Sequence, residues 1–304
     1  MRVLLIHNPT AGDEEHEPES LVQVVEAARY EVRWQSVKES GWESALDDAV
    51  DLVAVAGGDG TVRKVFRQLV GRRVPATILP VGTANNIARS LGFPEEESAV
   101  LVRGWPSGRT RACDIGSLAT RGEEQLFVES AGGGLFADLL VRADEDAHEA
   151  GANDKVKRGL QALQRTVLEA RPRPWWLRID DYELAEDLIG LEVMNVREAG
   201  PRIQLAAEAD PGDGILDVVL LREADAQDLG ALAEARLDGR RAEAPLRETL
   251  RAREVLLSPP VESTLHFDDQ ILAEKAATEG AVEVLVRCNG RVHVLLPDDA
   301  GPGR

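Results

Sequence analysis

Residues 52–62 run Leu-Val-Ala-Val-Ala-Gly-Gly-Asp-Gly-Thr-Val, an apolar stretch that passes directly into three glycines around one aspartate. A short apolar run closed by turn residues reads as a buried strand. A helix follows from Thr61, because Val62, Val65, Phe66, Leu69 and Val70 recur at helical spacing. A buried strand feeding a helix through glycines points to an α/β fold with this turn beyond a strand's carboxyl end. There Gly57, Gly58 and Gly60 are expected to adopt positive φ and bring bare amides against an anion. Asp59, the sole charge of the turn, is placed to hold a magnesium ion or a water bound to one. The helix beginning at Thr61 aims its free amides and positive dipole end at the same point. A tight strand-to-helix connection with no ligand would use the same residues.

The rest of the first hundred residues alternates in the same manner. Strands are expected at 2–7, 31–36, 51–56 and 76–79, and helices from Ser20, with Gln23 as capping-box partner, and over 42–50. This order predicts a parallel sheet, whose ligands gather beyond the carboxyl ends of the strands. Three loops lie there: 8–12 (Asn-Pro-Thr-Ala-Gly), 57–61, and 80–86 (Pro-Val-Gly-Thr-Ala-Asn-Asn). Each alone is an ordinary turn, and together they form one candidate site for phosphate, ribose or base.

Beyond residue 114 the texture changes. Segments of β character at 126–131, 175–180, 188–196, 202–207, 214–221, 253–258 and 263–268 predict a sandwich-like second domain. The division expected is 1–114, 115–296 and a frayed tail at 297–304, with C-terminal strands able to return to the first domain. Two apolar stripes, one through Val156, Leu160, Leu163, Val167 and Leu168 and one through Leu229, Leu232, Ala233 and Leu237, mark helices that pack or flank an acyl chain. Residues 143–155 read as an exposed mobile loop. Ala131-Gly132-Gly133-Gly134 reads either as a close approach of substrate to backbone or as a bend between sheet and helix.

Composition excludes several classes of function. A formal charge of −19 argues against nucleic acid as main partner. It also repels an anionic membrane unless basic residues cluster, for which Arg63, Lys64, Arg67, Arg72, Arg73, Lys155, Lys157 and Arg158 are candidates. No apolar run approaches the roughly 18 residues of a membrane span, which points to a cytoplasmic protein. Cys113 and Cys288 are too far apart in sequence to suggest a zinc site or disulfide framework. Asp47, Asp48 and Asp51 imitate a diphosphate-binding aspartate motif but read as solvated surface, and no Gly-x4-Gly-Lys-Ser/Thr loop occurs.

The chain resembles the diacylglycerol kinase catalytic-domain family, particularly the bacterial soluble lipid kinases, along almost its whole length. The resemblance rests on Asn8-Pro9 with Gly12, Gly57-Gly58-Asp59-Gly60-Thr61, Pro80-Val81-Gly82-Thr83-Ala84-Asn85, Asp114-Ile115-Gly116 and the segment Asp210 to Asp217. It implies a phosphofructokinase-like α/β domain, a C-terminal β-sandwich, and phosphoryl transfer from ATP to a lipid hydroxyl in the presence of Mg2+. By position, Gly57, Gly58, Asp59, Gly60, Thr61, Val62, Arg63, Gly82 and Thr83 would line the nucleotide phosphates, with Asn8 and Asn85 in the flanking loops. Ser36, or Val37 beside it, stands near a nucleotide-contacting threonine of the family. Asp210, Asp213 and the Ile215 carbonyl would hold a structural magnesium, although Pro-Gly-Asp-Gly also reads as a plain hairpin turn. Asp268 would be the proton acceptor and Asp59 its catalytic companion. Asp268-Asp269 equally fits a charged turn.

Three departures remove negative charge: Arg63-Lys64 where Asn-Glu is common, Asn86 for Asp, and Gln270 for Glu. The leading expectation is an ATP- and Mg2+-dependent lipid kinase that touches membranes transiently. A same-fold kinase acting on a soluble, nucleotide-like substrate and a non-catalytic nucleotide-binding regulator are the alternatives. The sequence leaves the oligomeric state open, a homodimer included.

Overall fold

The computed structural model describes residues 1–12, 18–120, 123–149, 155–243, 249–272 and 283–298. Two compact units emerge: one of Met1–Asp114, Pro211–Asp213 and Gly290–Arg304, the other of Ile115–Asp210 and Gly214–Asn289.

In the first unit, β1 (Arg2–His7), β2 (Glu31–Ser36), β3 (Leu52–Gly57) and β4 (Ala76–Pro80) pair in parallel in the order β2-β1-β3-β4. Helices α1 (Pro18–Ala27), α2 (Asp59–Leu69), α3 (Asn86–Leu91) and α4 (Ser98–Arg103) connect or follow the strands. The central strands are apolar throughout because both faces are covered, β3 being buried at every position. Val3, Leu5, Leu52 and Ala54 form one face of the core with Leu21 and Val25 of α1 and Leu101 and Val102 of α4. The unit is closed by the chain's end: Val294 pairs in parallel with Ala76, and Thr77 Oγ1 donates to the Leu295 carbonyl at 2.8 Å. The helix expected over 42–50 is a 3-10 turn, Trp42–Asp47.

The second unit is antiparallel. Its elements in chain order are β5 (Arg109–Ala119, shared with the first unit), β6 (Glu124–Phe127), β7 (Ser130–Gly134), α5 (Leu135–Glu149), α6 (Lys155–Glu169), β8 (Arg173–Ile179), β9 (Tyr182–Leu188) and β10 (Gly190–Met194). There follow β11 (Glu198–Ala199), β12 (Ile203–Gln204), β13 (Leu216–Leu221), α7 (Glu223–Leu237), β14 (Leu250–Ala252), β15 (Glu254–Ser258), β16 (Leu265–Phe267), β17 (Gln270–Ile271) and β18 (Val284–Leu296, also shared). A six-stranded sheet runs β14-β13-β10-β7-β16-β17. Successive residues of its strands serve two cores, as the two-residue period of a strand dictates. Leu191, Val193, Val218 and Leu220 face Trp175, Leu177, Val255 and Val286 across the sandwich. Met194, Val219 and Leu221 face Leu139, Leu163 and Leu229 on the helices.

Two expectations are corrected. Residues 143–149 continue α5 rather than forming a loop, with Ala143 packed on the helical core, while 150–154 lie outside the described residues. In the expected tail, the Asp298 N–H donates to the Gly104 carbonyl at 3.2 Å, and 299–304 lie outside the described residues. The triple glycine resolves to the end of β7 and the bend into α5, with Gly134 at φ 73. Asp47, Asp48 and Asp51 each meet a different arginine, Arg72, Arg33 and Arg2, and do not converge.

Candidate functional site

The parallel register puts the ends of β1, β3 and β4 at one edge of the first unit, with His7 beside Ala56 and Gly57 beside Pro80. The three loops beyond them are bonded to one another. Asn8 Nδ2 donates to Thr61 Oγ1 at 3.0 Å, joining the first loop to the second. The second and third touch backbone to backbone: a Cβ on Gly82 would lie 2.3 Å from the Gly58 Cα. Asp59 Oδ1 then accepts the Ile87 N–H at 3.0 Å, so a residue of the second loop caps the helix that leaves the third.

The glycines are required for a reason other than the one expected. Gly57, Gly58 and Gly60 are absent from the positive-φ residues, and Gly58 is extended at φ −91. At Gly57 and Gly58 the reason is proximity, since a Cβ on Gly57 would meet Thr61 Oγ1 at 2.5 Å and one on Gly58 would lie 3.1 Å from the Gly82 Cα, whereas at Gly60 a Cβ would meet only Arg63 Nη2 at 3.5 Å, an ordinary contact. Helix α2 starts at Asp59, two residues before the expected Thr61, with Gly58 as its N-cap. The Thr61 and Val62 N–H groups both donate to the Gly58 carbonyl, at 2.9 and 3.1 Å, so the amides without an intrahelical main-chain acceptor are those of Asp59 and Gly60, in the glycine turn itself.

Burial raises the pKa of Asp59, opposed by the amides of Ile87 and Asn86 and by the nearby Arg63 guanidinium. Arg63 is buried, one turn into α2. With the amides of residues 58–60 it supplies positive potential at the mouth of the loops, suited to an oxyanion.

Other candidates shape the loops. Asn85, left-handed at φ 55, binds its own turn: Nδ2 donates to the Gly82 and Pro80 carbonyls at 2.6 and 3.3 Å, and Oδ1 accepts the Gly82 N–H at 3.2 Å. Asn8 Oδ1 accepts both the N–H and the hydroxyl of Thr10. Ser36 Oγ accepts the Lys38 N–H, and Val62 is core, its N–H donating to the Gly58 carbonyl at 3.1 Å. Gly60 and Thr83 are partly exposed at the mouth. Asp114 is buried, with Arg291 Nη2 at 3.5 Å from its carboxylate.

In the second unit Asp268 is the first residue of the two-residue β16–β17 turn, at φ 50. It is buried, and its carboxylate accepts the Glu129 N–H at 2.7 Å and the Val128 N–H at 3.0 Å. Sequence reasoning missed the pair beneath this turn, His266 and Glu192, 2.8 Å apart and almost without solvent. The available signal was one glutamate inside the otherwise apolar Gly190–Met194 strand.

The same unit holds a cavity of about 420 Å³, within the range of small-molecule sites. Its lining is mainly polar and charged, with Asp138, Glu145 and Glu169 beside Arg142 and Arg173, and Val141 is its exposed apolar contribution. Burial raises the pKa of Asp138, while a bond from Thr264 and the charges of Arg173 and Arg142 work the other way. Among the described residues, no three His, Cys, Asp or Glu side chains gather as a metal-binding group. Asp210 and Asp213 are exposed, and with the Ile215 carbonyl they offer only oxygen donors, which fits a hard cation such as Mg2+. No helix among the described residues is long and apolar enough to cross a membrane.

An α/β unit with interlocked phosphate-type loops, joined in one chain to a β-rich unit, defines the class as a two-unit phosphotransferase. The profile of the diacylglycerol kinase catalytic domain matches residues 2–118, and that of the YegS C-terminal NAD kinase beta sandwich-like domain matches 139–286. The chain is 29% identical over 252 residues to a diacylglycerol kinase of Bacillus subtilis, covering 78% of this chain and 79% of that one. It is 28% identical over 251 residues to one of Mycobacterium tuberculosis, covering 80% and 79%. A crystal structure of a diacylglycerol kinase from Bacillus anthracis superposes with a TM-score of 0.67 at 21% identity, covering 99% and 98%, which shows the shared fold. Residues 2–118 of the chain belong to the diacylglycerol kinase catalytic-domain family.

Proposed function

We propose that this protein transfers the γ-phosphoryl group of ATP to a hydroxyl of a lipid, diacylglycerol or a close relative. The observation that carries the reading is the interlocking of the Gly58 and Gly82 turns, with Asp59 fastened between them. Phosphoryl transfer asks mainly for positioning and charge stabilisation, and the two loops supply both. The amides of residues 58–60 and the Arg63 guanidinium take the phosphate oxygens. Asp268 receives the proton of the acceptor hydroxyl. A magnesium ion held by Asp59, directly or through water, would neutralise phosphate charge, and Asp210, Asp213 and the Ile215 carbonyl would hold a separate, structural magnesium. The cavity between α5, α6 and β8 would take the polar end of the lipid, toward Arg142 and Arg173. Contact with a membrane would be transient, at the surface from which the lipid is taken.

One observation favours a nucleotide-binding protein without turnover: two main-chain amides already occupy part of the Asp268 carboxylate's acceptor capacity. The test is transfer of radiolabelled γ-phosphate to diacylglycerol in mixed micelles, followed by a total lipid extract. Labelled lipid, lost in Asp268→Asn with ATP binding intact, supports the proposal. A water-soluble labelled product would instead indicate a soluble acceptor, and ATP binding with no labelled product would indicate the regulator.

A further inference from the structure

The residues beneath the Asp268 turn form a chain of contacts that the proton-transfer step does not itself require. Strand β7 lies between β10 and β16, and in one cross-strand row Gly132 stands opposite Glu192 on one side and His266 on the other. The row continues to Val219, which packs in the helix-side core, so the pair is enclosed between sheet and helices. Glu192 and His266 meet over the glycine: Oε1 to Nε2 is 2.8 Å, and a Cβ on Gly132 would lie 2.8 Å from that same Oε1. A side chain at 132 would fill the space the pair uses. Here the triple glycine does more than bend the chain.

The other ring nitrogen reaches the turn. His266 Nδ1 is 3.0 Å from the Asp268 carbonyl oxygen. A carbonyl can only accept, so Nδ1 carries a proton, and the tautomer is fixed by the backbone of the turn. Nε2 and Glu192 then share a second proton. Burial alone would favour neutral imidazole, whereas Glu192, the Asp268 carbonyl and the Asp268 charge favour its protonated form. The turn is held from the opposite side as well. The Asp268 carboxylate accepts from Val128 and Glu129, the Val128 carbonyl accepts Asn195 Nδ2 at 2.8 Å, and the Asp268 N–H donates to Ser130 at 2.7 Å. Asp268 at φ 50 takes the left-handed conformation of the first position in a two-residue hairpin turn, as Asp180 does between β8 and β9. A buried ion pair adds little net stability over apolar packing. Stability alone therefore gives no reason to bury one here.

We infer that His266, oriented by Glu192 across Gly132, is a positioning residue that fixes the Asp268 turn so that its carboxylate is presented in one orientation. The inference rests on Asp268 being the proton acceptor. Misplacement of such a group by about an ångström costs roughly 100-fold in rate.

Steady-state transfer to diacylglycerol is to be measured for His266→Phe, His266→Asn, His266→Gln and Asp268→Asn, beside 15N-histidine spectra of the native protein. In His266→Phe, kcat should fall roughly 100-fold while KM for ATP and for lipid stays within about twofold. His266→Asn places an amide N–H near the position of Nδ1 and should recover most of kcat. His266→Gln keeps only the Glu192 end and should not. The native spectrum should show a protonated Nδ1 at the signal lost in His266→Asn. An unchanged kcat in His266→Phe with Asp268→Asn inactive, recovery by Gln and not Asn, or an unprotonated Nδ1 would each overturn the inference alone. Full turnover in Asp268→Asn would overturn the proton-acceptor reading and the inference with it. Should His266→Phe fail to fold, the Asn and Gln pair and the spectrum still decide.

Discussion

Asp59 offers the sharpest test, because its two roles separate under substitution. As a cap it accepts the Ile87 N–H at 3.0 Å, in the first turn of the six-residue helix Asn86–Leu91. Loss of a capping side chain costs about 0.5–2 kcal/mol, and a hydrogen bond to a charged acceptor contributes about 1.5–3 kcal/mol. Relief of carboxylate burial offsets part of this, so Asp59→Ala should lose about 1–2 kcal/mol. Asn caps nearly as well as Asp and carries no charge to bury, so Asp59→Asn should remain within about 0.5 kcal/mol of the native protein at neutral pH. The pH dependence has a definite sign. Burial holds the Asp59 proton more tightly in the folded chain than in the unfolded one. The native protein therefore loses stability as pH rises from the unfolded to the folded pKa, and Asp59→Asn does not, so acidification should shift the balance toward the native protein. Denaturation curves, with hydrogen exchange at the Ile87 amide as local probe, measure both substitutions. Both variants should lose lipid phosphorylation by roughly 100-fold or more if Asp59 also holds the magnesium that neutralises the transferring phosphate. Equal destabilisation by Asn and Ala would refute the cap, and full activity in Asp59→Asn would refute the phosphate role.

Gly82→Ala should be poorly tolerated, because its Cβ would lie 2.3 Å from a backbone atom that cannot rotate away. A loss of about 2–3 kcal/mol with weakened ATP binding is expected in denaturation and nucleotide titration, and unchanged ATP affinity would show that the two turns need not touch. Burial, reinforced by Asp114, pushes the Cys113 thiol up to about 12, so at pH 8 only Cys288 should react with a thiol reagent before unfolding; rapid labelling of Cys288→Ser would contradict this. Arg173→Glu should raise KM for the lipid about tenfold through charge reversal at the cavity rim and leave KM for ATP alone. An effect on ATP instead would assign the cavity another role.

What could be read from the sequence follows the range of the interactions. The strand, glycine turn and helix around Asp59 are local, and their period and turn residues announce an anion site. Positive φ, the local reason for glycine there, does not hold: Gly57 is confined by Thr61, and Gly58 by Gly82, which is remote in sequence. The helix start shifted from Thr61 to Asp59 because Gly58 is the cap. Asp268 was readable only through resemblance, since two adjacent aspartates carry no periodicity. Glu192 and His266 lie 74 residues apart and meet across a third strand, a register that no local pattern encodes. Strand β9, Tyr-Glu-Leu-Ala-Glu-Asp-Leu, was overlooked because its charges mask an alternation that pairs fully with β8.

The bond from Thr77 to Leu295 spans 218 positions, and it belongs to the nucleotide-type unit. During synthesis that unit cannot be completed when its first 114 residues have left the ribosome; it waits, with one side of Ala76–Pro80 unpaired, until the last segment arrives. A gene truncated after residue 114 would thus yield an unfinished sheet rather than a free-standing ATP-binding module.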